Sequence, residues 1–118
     1  MKENAVKEKS FAFAIRIVRL YRYLGEKKEF VLAKQLLRSG TAIGALVRES
    51  EHAESKADFV HKMSIALKEA NEADYWIELL YQTDFLSQKE YHTIKQDCEE
   101  LIRLLVSIVK TSKTTLPK

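Results

Sequence analysis

Apolar side chains recur every three or four positions along almost all of the 118-residue chain, as on one face of an amphipathic helix. Only 3 glycines and 1 proline interrupt this pattern, and Pro117 stands near the end of the chain. Because Leu, Ala, Glu and Lys are abundant and favour helices over strands, the chain is predicted to be all-α. We predict a single domain, 1–118, with helices over about 7–24, 30–51, 56–83 and 88–111 and a frayed tail, 112–118.

The first predicted helix carries two neighbouring apolar stripes. One stripe consists of Phe11, Ala14, Ile15, Val18 and Tyr21, and the other consists of Phe13, Ile17, Leu20 and Leu24. Together they form a face wider than a monomeric bundle of this size needs, and an exposed remainder indicates a partner or self-association. Gly25 is predicted to end this helix as a left-handed cap.

The second predicted helix contains Gly40 and Gly44, each of which costs about 1 kcal/mol relative to alanine inside a helix. One interpretation is a break at Ser39-Gly40, followed by a new helix that Thr41 caps. The other is a continuous helix whose glycines let a second backbone come close. The apolar spacing does not shift across the glycines, and this favours the continuous helix.

The third and fourth predicted helices begin at polar caps and continue as long apolar seams. Ser55 with Asp58, and Ser87 with Glu90, have the spacing of capping boxes. The third seam consists of Phe59, Met63, Ala66, Ala70, Ala73, Ile77 and Leu80. The fourth seam consists of Tyr91, Ile94, Cys98, Leu101, Leu105 and Ile108. Four such helices with short connections predict an up-down-up-down antiparallel four-helix bundle.

Charge is distributed unevenly along the chain. Residues 1–48 hold 11 Lys and Arg against 4 Asp and Glu, whereas residues 49–100 hold 5 against 13. Candidate phosphate contacts in the basic part are Arg16, Arg19, Arg22, Lys27, Lys28 and Lys34. They could bind RNA or DNA without base specificity. Alternatively, the basic half of one subunit faces the acidic third helix of another, or the charges are only solvated faces.

No set of side chains points to catalysis. Glu49 and His52 have the Glu-x-x-His spacing of di-iron bundles, but such bundles use two of these pairs, and neither His61 nor His92 follows a glutamate at that spacing. A lone cysteine, Cys98, cannot build a thiolate metal site. We therefore expect no enzyme, no cofactor and no metal.

Two further expectations follow from polar and apolar spacing. A polar network that fixes helix register is predicted for Arg38, Glu49, Glu69 and Glu72. The chain has no apolar run of about 18 residues and no secretory signal, so we expect a cytoplasmic location and no membrane partner.

Two long motifs resemble the signatures of the four helix bundle protein family, which is encoded in intervening sequences of bacterial 23S ribosomal RNA genes. The first motif is QLLRSGTAIGA over 35–45, and the second is DFVHKM over 58–63, followed by IALKEA over 65–70 and Tyr75-Trp76. The resemblance covers roughly residues 11–110. The chain departs from the family at Ala42, Leu46 and Ala73, where Ser, Asn and Thr are usual.

This resemblance implies an antiparallel four-helix bundle with the glycine segment inside the second helix. It also implies a homo-oligomer, typically a pentameric barrel. Related accessory proteins of diversity-generating retroelements form such barrels, carry a basic surface, and bind RNA and a reverse transcriptase. Most members have no known biochemical role, and the resemblance brings no catalytic residues to this chain.

Overall fold

The computed structural model describes residues 1–115, which form four α-helices and no strand. The helices are α1 (Lys2–Glu26), α2 (Val31–Ser50), α3 (Lys56–Gln82) and α4 (Gln88–Thr114). They lie side by side in a bundle measuring 49 × 21 × 21 Å. The all-α four-helix bundle predicted from the sequence is confirmed.

The four helices occupy the corners of a square. Each helix packs against its neighbours in sequence, and α4 closes the square against α1, whereas diagonal pairs make no close backbone approach within residues 1–115. The largest fully buried side chains are Phe13, Ile17, Leu24, Leu36, Ile43, Met63, Ile77, Leu80, Leu101 and Leu105. Their burial from water is the main driving force for this packing.

The beginning of α1 differs from the prediction, since the helix starts at Lys2 rather than at Lys7. Val6 is fully buried, and polar residues around it contact neighbouring helices. The Lys7 ammonium, for example, lies 3.0 Å from a carboxylate oxygen of Glu51. Apolar spacing gave little indication of this, because Val6 is the only buried apolar residue of α1 before Phe13 and the other tertiary contacts named here are polar.

Only one of the two apolar stripes on α1 is directed into the core. Phe13, Ile17 and Leu24 are buried, whereas Phe11 and Ile15 keep 51% and 38% of their surface exposed. The face is therefore wider than the bundle can cover, and its uncovered part lies on the outside of α1.

The prediction that Gly25 caps α1 is wrong. The helix continues to Glu26, and the left-handed residue is Lys28, with φ of 63°. Lys28 N donates to Gly25 O at 2.9 Å, and Glu29 N donates to Leu24 O at 2.9 Å, which is the Schellman arrangement. This places Gly25 within the last turn of the helix.

The two glycines of α2 lie where it crosses α1, and α2 runs through them without a break. A Cβ added to Gly40 would lie 2.8 Å from Ile17 Cγ1, and one added to Gly44 would lie 3.3 Å from Ser10 O. The continuous helix with a close backbone approach is thus the correct interpretation. α2 itself begins at Val31, one residue later than predicted.

The cap of α4 is confirmed as a capping box: the Ser87 hydroxyl accepts from Glu90 N, and Glu90 accepts from Ser87 N. At the other end, α4 continues to Thr114, and Ser112 is buried. Predicted fraying is therefore wrong for residues 112–114, while residues 116–118 of that tail lie outside the described residues.

Candidate nucleic-acid interface

The six basic residues predicted to contact phosphate form two groups. Arg16, Arg19 and Lys27 border the seam between α1 and α4, where Arg16 binds Asp97 of α4 and Lys27 donates to Phe85 O in the turn before α4. The other three are exposed: Arg22 lies on α1, Lys28 in the following turn and Lys34 on α2.

A ladder of polar contacts joins α1 to α4 along this seam. Its α1 members recur every seven residues, and its α4 members recur every seven residues in the opposite direction, as in an antiparallel heptad. The contacts are Lys2 Nζ with Ser107 Oγ at 2.6 Å, Lys9 Nζ with Glu100 Oε1 at 3.1 Å, and Arg16 Nη2 with Thr93 Oγ1 at 2.9 Å. These α4 partners were not predicted, although the matching seven-residue steps in the two helices could have indicated them.

Arg16 is the most constrained member of the predicted set. Its guanidinium forms an ion pair with Asp97 and also donates to Thr93 O at 3.3 Å. A spacing of three residues falls short of one turn by about 60°, so Arg16, Arg19 and Arg22 do not lie along one face. Arg16 therefore holds α4, and its charge is already partly neutralised.

A cavity of about 280 Å³ opens between α1 and α4 beside Arg16. Its lining combines two guanidinium groups, one aromatic ring and one carboxylate with an apolar floor, and consists of Arg16, Arg19, Leu20, Tyr23, Glu90, Thr93 and Ile94. Such a surface offers cations for phosphate and a ring for stacking.

The ionisable groups at this end of the seam affect one another. Lys27 Nζ lies 4.6 Å from the centre of the Tyr23 ring, and the Tyr23 hydroxyl raises the pKa of Lys27. Burial acts to raise the pKa of Glu90, but hydrogen bonds from Ser87 and the charge of Lys27 outweigh it and lower that pKa. Both groups are therefore charged at neutral pH.

The outer basic residues have no such partners. Arg22, Lys28 and Lys34 are exposed, and no carboxylate among residues 1–115 lies within 4.0 Å of them. Arg19 shares this property although it borders the cavity. These four cations can meet phosphate without first breaking an internal ion pair.

The structure brings together three of the four residues of the predicted polar network. Arg38 on α2 donates to Glu69 at 2.8 Å and also binds Glu72, and both carboxylates raise the pKa of Arg38 above its ordinary value. Trp76 Nε1 donates to Glu72 at 3.2 Å and extends the network. The inclusion of Glu49 is wrong, because it lies at the far end of α2.

Glu49 instead borders a shallow depression of the surface, together with Lys7, Arg48, Glu51 and His52. It is separated from Arg38 by three turns of the same helix, a distance that no side chain spans.

A second polar network, between α3 and α4, was not predicted. Lys95 lies 2.8 Å from Asp74 and 3.4 Å from Glu78, and the Tyr91 hydroxyl donates to Glu78 at 2.6 Å. Asp74 Oδ1 is buried and accepts no well-aligned hydrogen bond within residues 1–115, so the charge of Lys95 is its compensation. The network could have been predicted from the four-residue spacing of Asp74 and Glu78 on α3 and of Tyr91 and Lys95 on α4.

The remaining candidates for chemistry are inert or dispersed. Cys98 is fully buried beside Ala70 O, and burial raises the pKa of its thiol to about 12. His52, His61 and His92 are all exposed. In the part of the chain that the structure describes, no three His, Cys, Asp or Glu side chains converge as a metal site needs.

None of the helices described over residues 1–115 combines the length and the apolar character needed to span a bilayer.

Comparison with known proteins gives a consistent family assignment. The family model of the 23S rRNA-intervening sequence protein matches residues 2–107. A crystal structure from Bacteroides thetaiotaomicron VPI-5482, of a protein of unknown function from the S23 ribosomal protein family, is similar with a TM-score of 0.91 and 56% identity. The match covers 93% of this chain and 99% of that chain. No curated protein matches significantly.

Proposed function

Because the chain belongs to the 23S rRNA-intervening sequence protein family, we propose that it is a self-associating helical scaffold, not an enzyme, that binds RNA or DNA. The proposed contact residues are Arg16, Arg19, Arg22, Lys27, Lys28 and Lys34. They recognise the phosphate backbone by charge and do not read base sequence.

One observation carries this proposal: Arg19, Arg22, Lys28 and Lys34 are exposed where α1 ends and α2 begins, without a carboxylate within 4.0 Å in the described chain. An exposed and unpaired cation binds phosphate with release of counterions, which makes affinity depend on salt. Arg16 contributes less, because Asp97 already binds it.

Fluorescence anisotropy with labelled single-stranded RNA and duplex DNA, over a salt series from about 50 mM upward, tests the proposal. The joint variant Arg19→Ala, Arg22→Ala, Lys28→Ala is expected to bind more weakly. It also lowers the slope of log K against log salt for duplex DNA by about 2 to 3.

A matched variant, Lys56→Ala, Lys110→Ala, Lys113→Ala, removes the same charge from exposed positions at the opposite end of the bundle. It is expected to retain most of the affinity. Wild-type protein without affinity at about 50 mM salt would refute nucleic-acid binding, and equal losses in both variants would refute its location.

A second candidate is an assembly module that binds only protein. It is favoured by large apolar side chains that remain exposed: Phe11, Ile15, Phe30, Val31 and Tyr75. Exposed apolar groups of this kind are typical of interaction surfaces. Salt-sensitive assembly in light scattering, together with no affinity for RNA or DNA, would favour this candidate over the first.

A further inference from the structure

The cavity between α1 and α4 is lined by charges of both signs that do not pair with each other. Arg19 and Glu90 both line it, yet their side chains form no ion pair within 4.0 Å. Neither of them has an ion pair at that distance with any other residue among 1–115. A ligand that lies between them can therefore contact a cation at one end and an anion at the other.

The Glu90 carboxylate keeps unused capacity as a hydrogen-bond acceptor. Its Oε1 accepts from Ser87 N at 2.8 Å in the capping box, whereas Oε2 accepts no well-aligned hydrogen bond in the described part of the chain. The Tyr23 hydroxyl and the charge of Lys27 help to keep the carboxylate ionised. Because each carboxylate oxygen accepts about two hydrogen bonds, Glu90 can receive two parallel N–H groups while the cap stays intact.

Apolar side chains form the floor of this cavity. Ile94 is buried and Leu20 is partly buried, and the Tyr23 ring forms one wall, with Lys27 Nζ 4.6 Å from its centre. Unstacked nucleobases pack on apolar and aromatic side chains of this kind. The volume of about 280 Å³ is near the lower limit of small-ligand sites, which suits a single nucleotide.

We propose that this cavity binds one unpaired guanine of a single-stranded nucleic acid, with the Watson–Crick edge of the base on Glu90 and its phosphate on Arg19. Guanine presents two adjacent N–H donors on that edge, at N1 and N2, and they match the two oxygens of a carboxylate. Adenine and cytosine present one donor beside an acceptor there, and uracil flanks its N3–H with two carbonyl oxygens. In a duplex this edge is already paired with cytosine, so only an unpaired guanine can bind.

This inference rests on the proposed function and adds a base contact to it, since Glu90 is not one of the six phosphate-binding residues. Cations outnumber carboxylates by one around the cavity: Arg16, Arg19, Lys27 and Lys89 against Glu26, Glu90 and Asp97. Asp97 already binds Arg16, so Arg19 is the guanidinium that remains available for phosphate. Because Glu90 repels phosphate and attracts N–H donors, it orients the nucleotide with the base toward α4.

Two labelled oligonucleotides of equal length and charge test the base contact by fluorescence anisotropy. One is an octamer of uridine, and the other carries a single guanosine at its centre. Phosphate contacts are the same in both, so they cancel in the ratio of the two Kd values. The wild type is expected to bind the guanosine octamer about fivefold more tightly, the lower end for a bidentate base contact, because the cavity is open to solvent. Inosine, which keeps N1–H but lacks the 2-amino group, should give an intermediate Kd.

Glu90→Gln tests the assigned acceptor. The amide oxygen still accepts from Ser87 N, but an NH₂ group replaces the second acceptor and opposes the donors of guanine. The preference for guanosine should therefore disappear, and circular dichroism checks that the fold is retained. Glu99→Gln is the matched control, because Glu99 is exposed on α4 and does not line the cavity, and it should keep the preference. Arg19→Ala should weaken the binding of both octamers by the same factor.

The outcomes separate this inference from the proposed function. Equal affinity of the wild type for both octamers overturns the guanine site and leaves phosphate binding standing. A preference for guanosine that persists in Glu90→Gln overturns it as well. No affinity for either octamer at about 50 mM salt refutes the proposed nucleic-acid binding, and this inference with it.

Discussion

Ile17 on α1 lies directly against the backbone of Gly40 on α2, and a methyl group at Gly40 would come within 2.8 Å of Ile17 Cγ1 and 3.0 Å of Cγ2. Ile17 is fully buried and β-branched, so it has little room to move aside. This contact explains why a glycine stands in the middle of a continuous helix, where alanine has the higher helix propensity.

We therefore expect Gly40→Ala to destabilise the protein by about 1 to 3 kcal/mol, because overpacking outweighs the gain in helix propensity. Urea unfolding followed by circular dichroism measures the change. The penalty should shrink in an Ile17→Ala background, since two of the three crowded atoms are then absent.

Gly25→Ala is the matched control for this substitution. Gly25 lies in the last turn of α1, and an added Cβ meets nothing closer than Phe30 Cε1 at 3.6 Å. Alanine there should stabilise the protein by up to about 1 kcal/mol. The two substitutions are therefore expected to change the free energy of unfolding in opposite directions. Equal effects at both positions would contradict the importance of the Ile17 contact.

Lys28→Gly is expected to stabilise the turn between α1 and α2 by roughly 0.5 to 1 kcal/mol. Lys28 adopts φ of 63°, a conformation that costs a residue with a Cβ and costs glycine little. Thermal unfolding measures the gain. Glu26→Gly, two residues earlier and still helical, should have the opposite sign, and a stabilising effect there would show that the backbone argument is wrong.

Protonation of the Glu90 carboxylate should lower the stability of the protein in acid. Its folded pKa is below the ordinary 4.5, so its contribution is present above that value and is lost as pH falls through the lower folded pKa. In Glu90→Gln the amide oxygen still accepts a cap hydrogen bond but does not titrate. We expect a shallower decline of unfolding free energy below about pH 4.5; parallel curves for both proteins would argue against this linkage.

Cys98 should react with thiol reagents only when the bundle opens. Its sulfur is buried, and a pKa of about 12 leaves almost no thiolate at pH 8. The labelling rate with an aromatic disulfide is expected to rise steeply through the urea transition. Native protein that reacts as fast as a free cysteine in a short peptide would exclude this burial.

The sequence determined the helices and most of their buried faces, because apolar spacing and capping residues act locally. Ser87 and Glu90 show this, since both partners of the capping box lie within one turn of chain. The seam through Met63, Ala66 and Ala70 is likewise buried as the spacing requires. The family motifs were readable for the same reason, as they are continuous in the chain.

The candidate site was predictable only in part. Arg38 with Glu69 could be inferred, because both residues stand beside apolar seams that must pack together. The commitment of Arg16 to Asp97 could not, since it depends on how α1 and α4 align after the bundle closes. Glu49 was wrongly included because it lies on the same face of α2 as Arg38. Two residues on one helical face can still be three turns apart, which is too far for their side chains to meet.

Tertiary structure alone decided which apolar stripe of α1 entered the core. Both stripes satisfy the helical period, but each helix of this square bundle packs against only two neighbours, so part of its circumference stays uncovered. The close approach of Ile17 to Gly40 fixes the rotation of α1, and this rotation leaves Phe11 and Ile15 outside. Local pattern thus fixes what can be buried, while the geometry of helix contact selects what is.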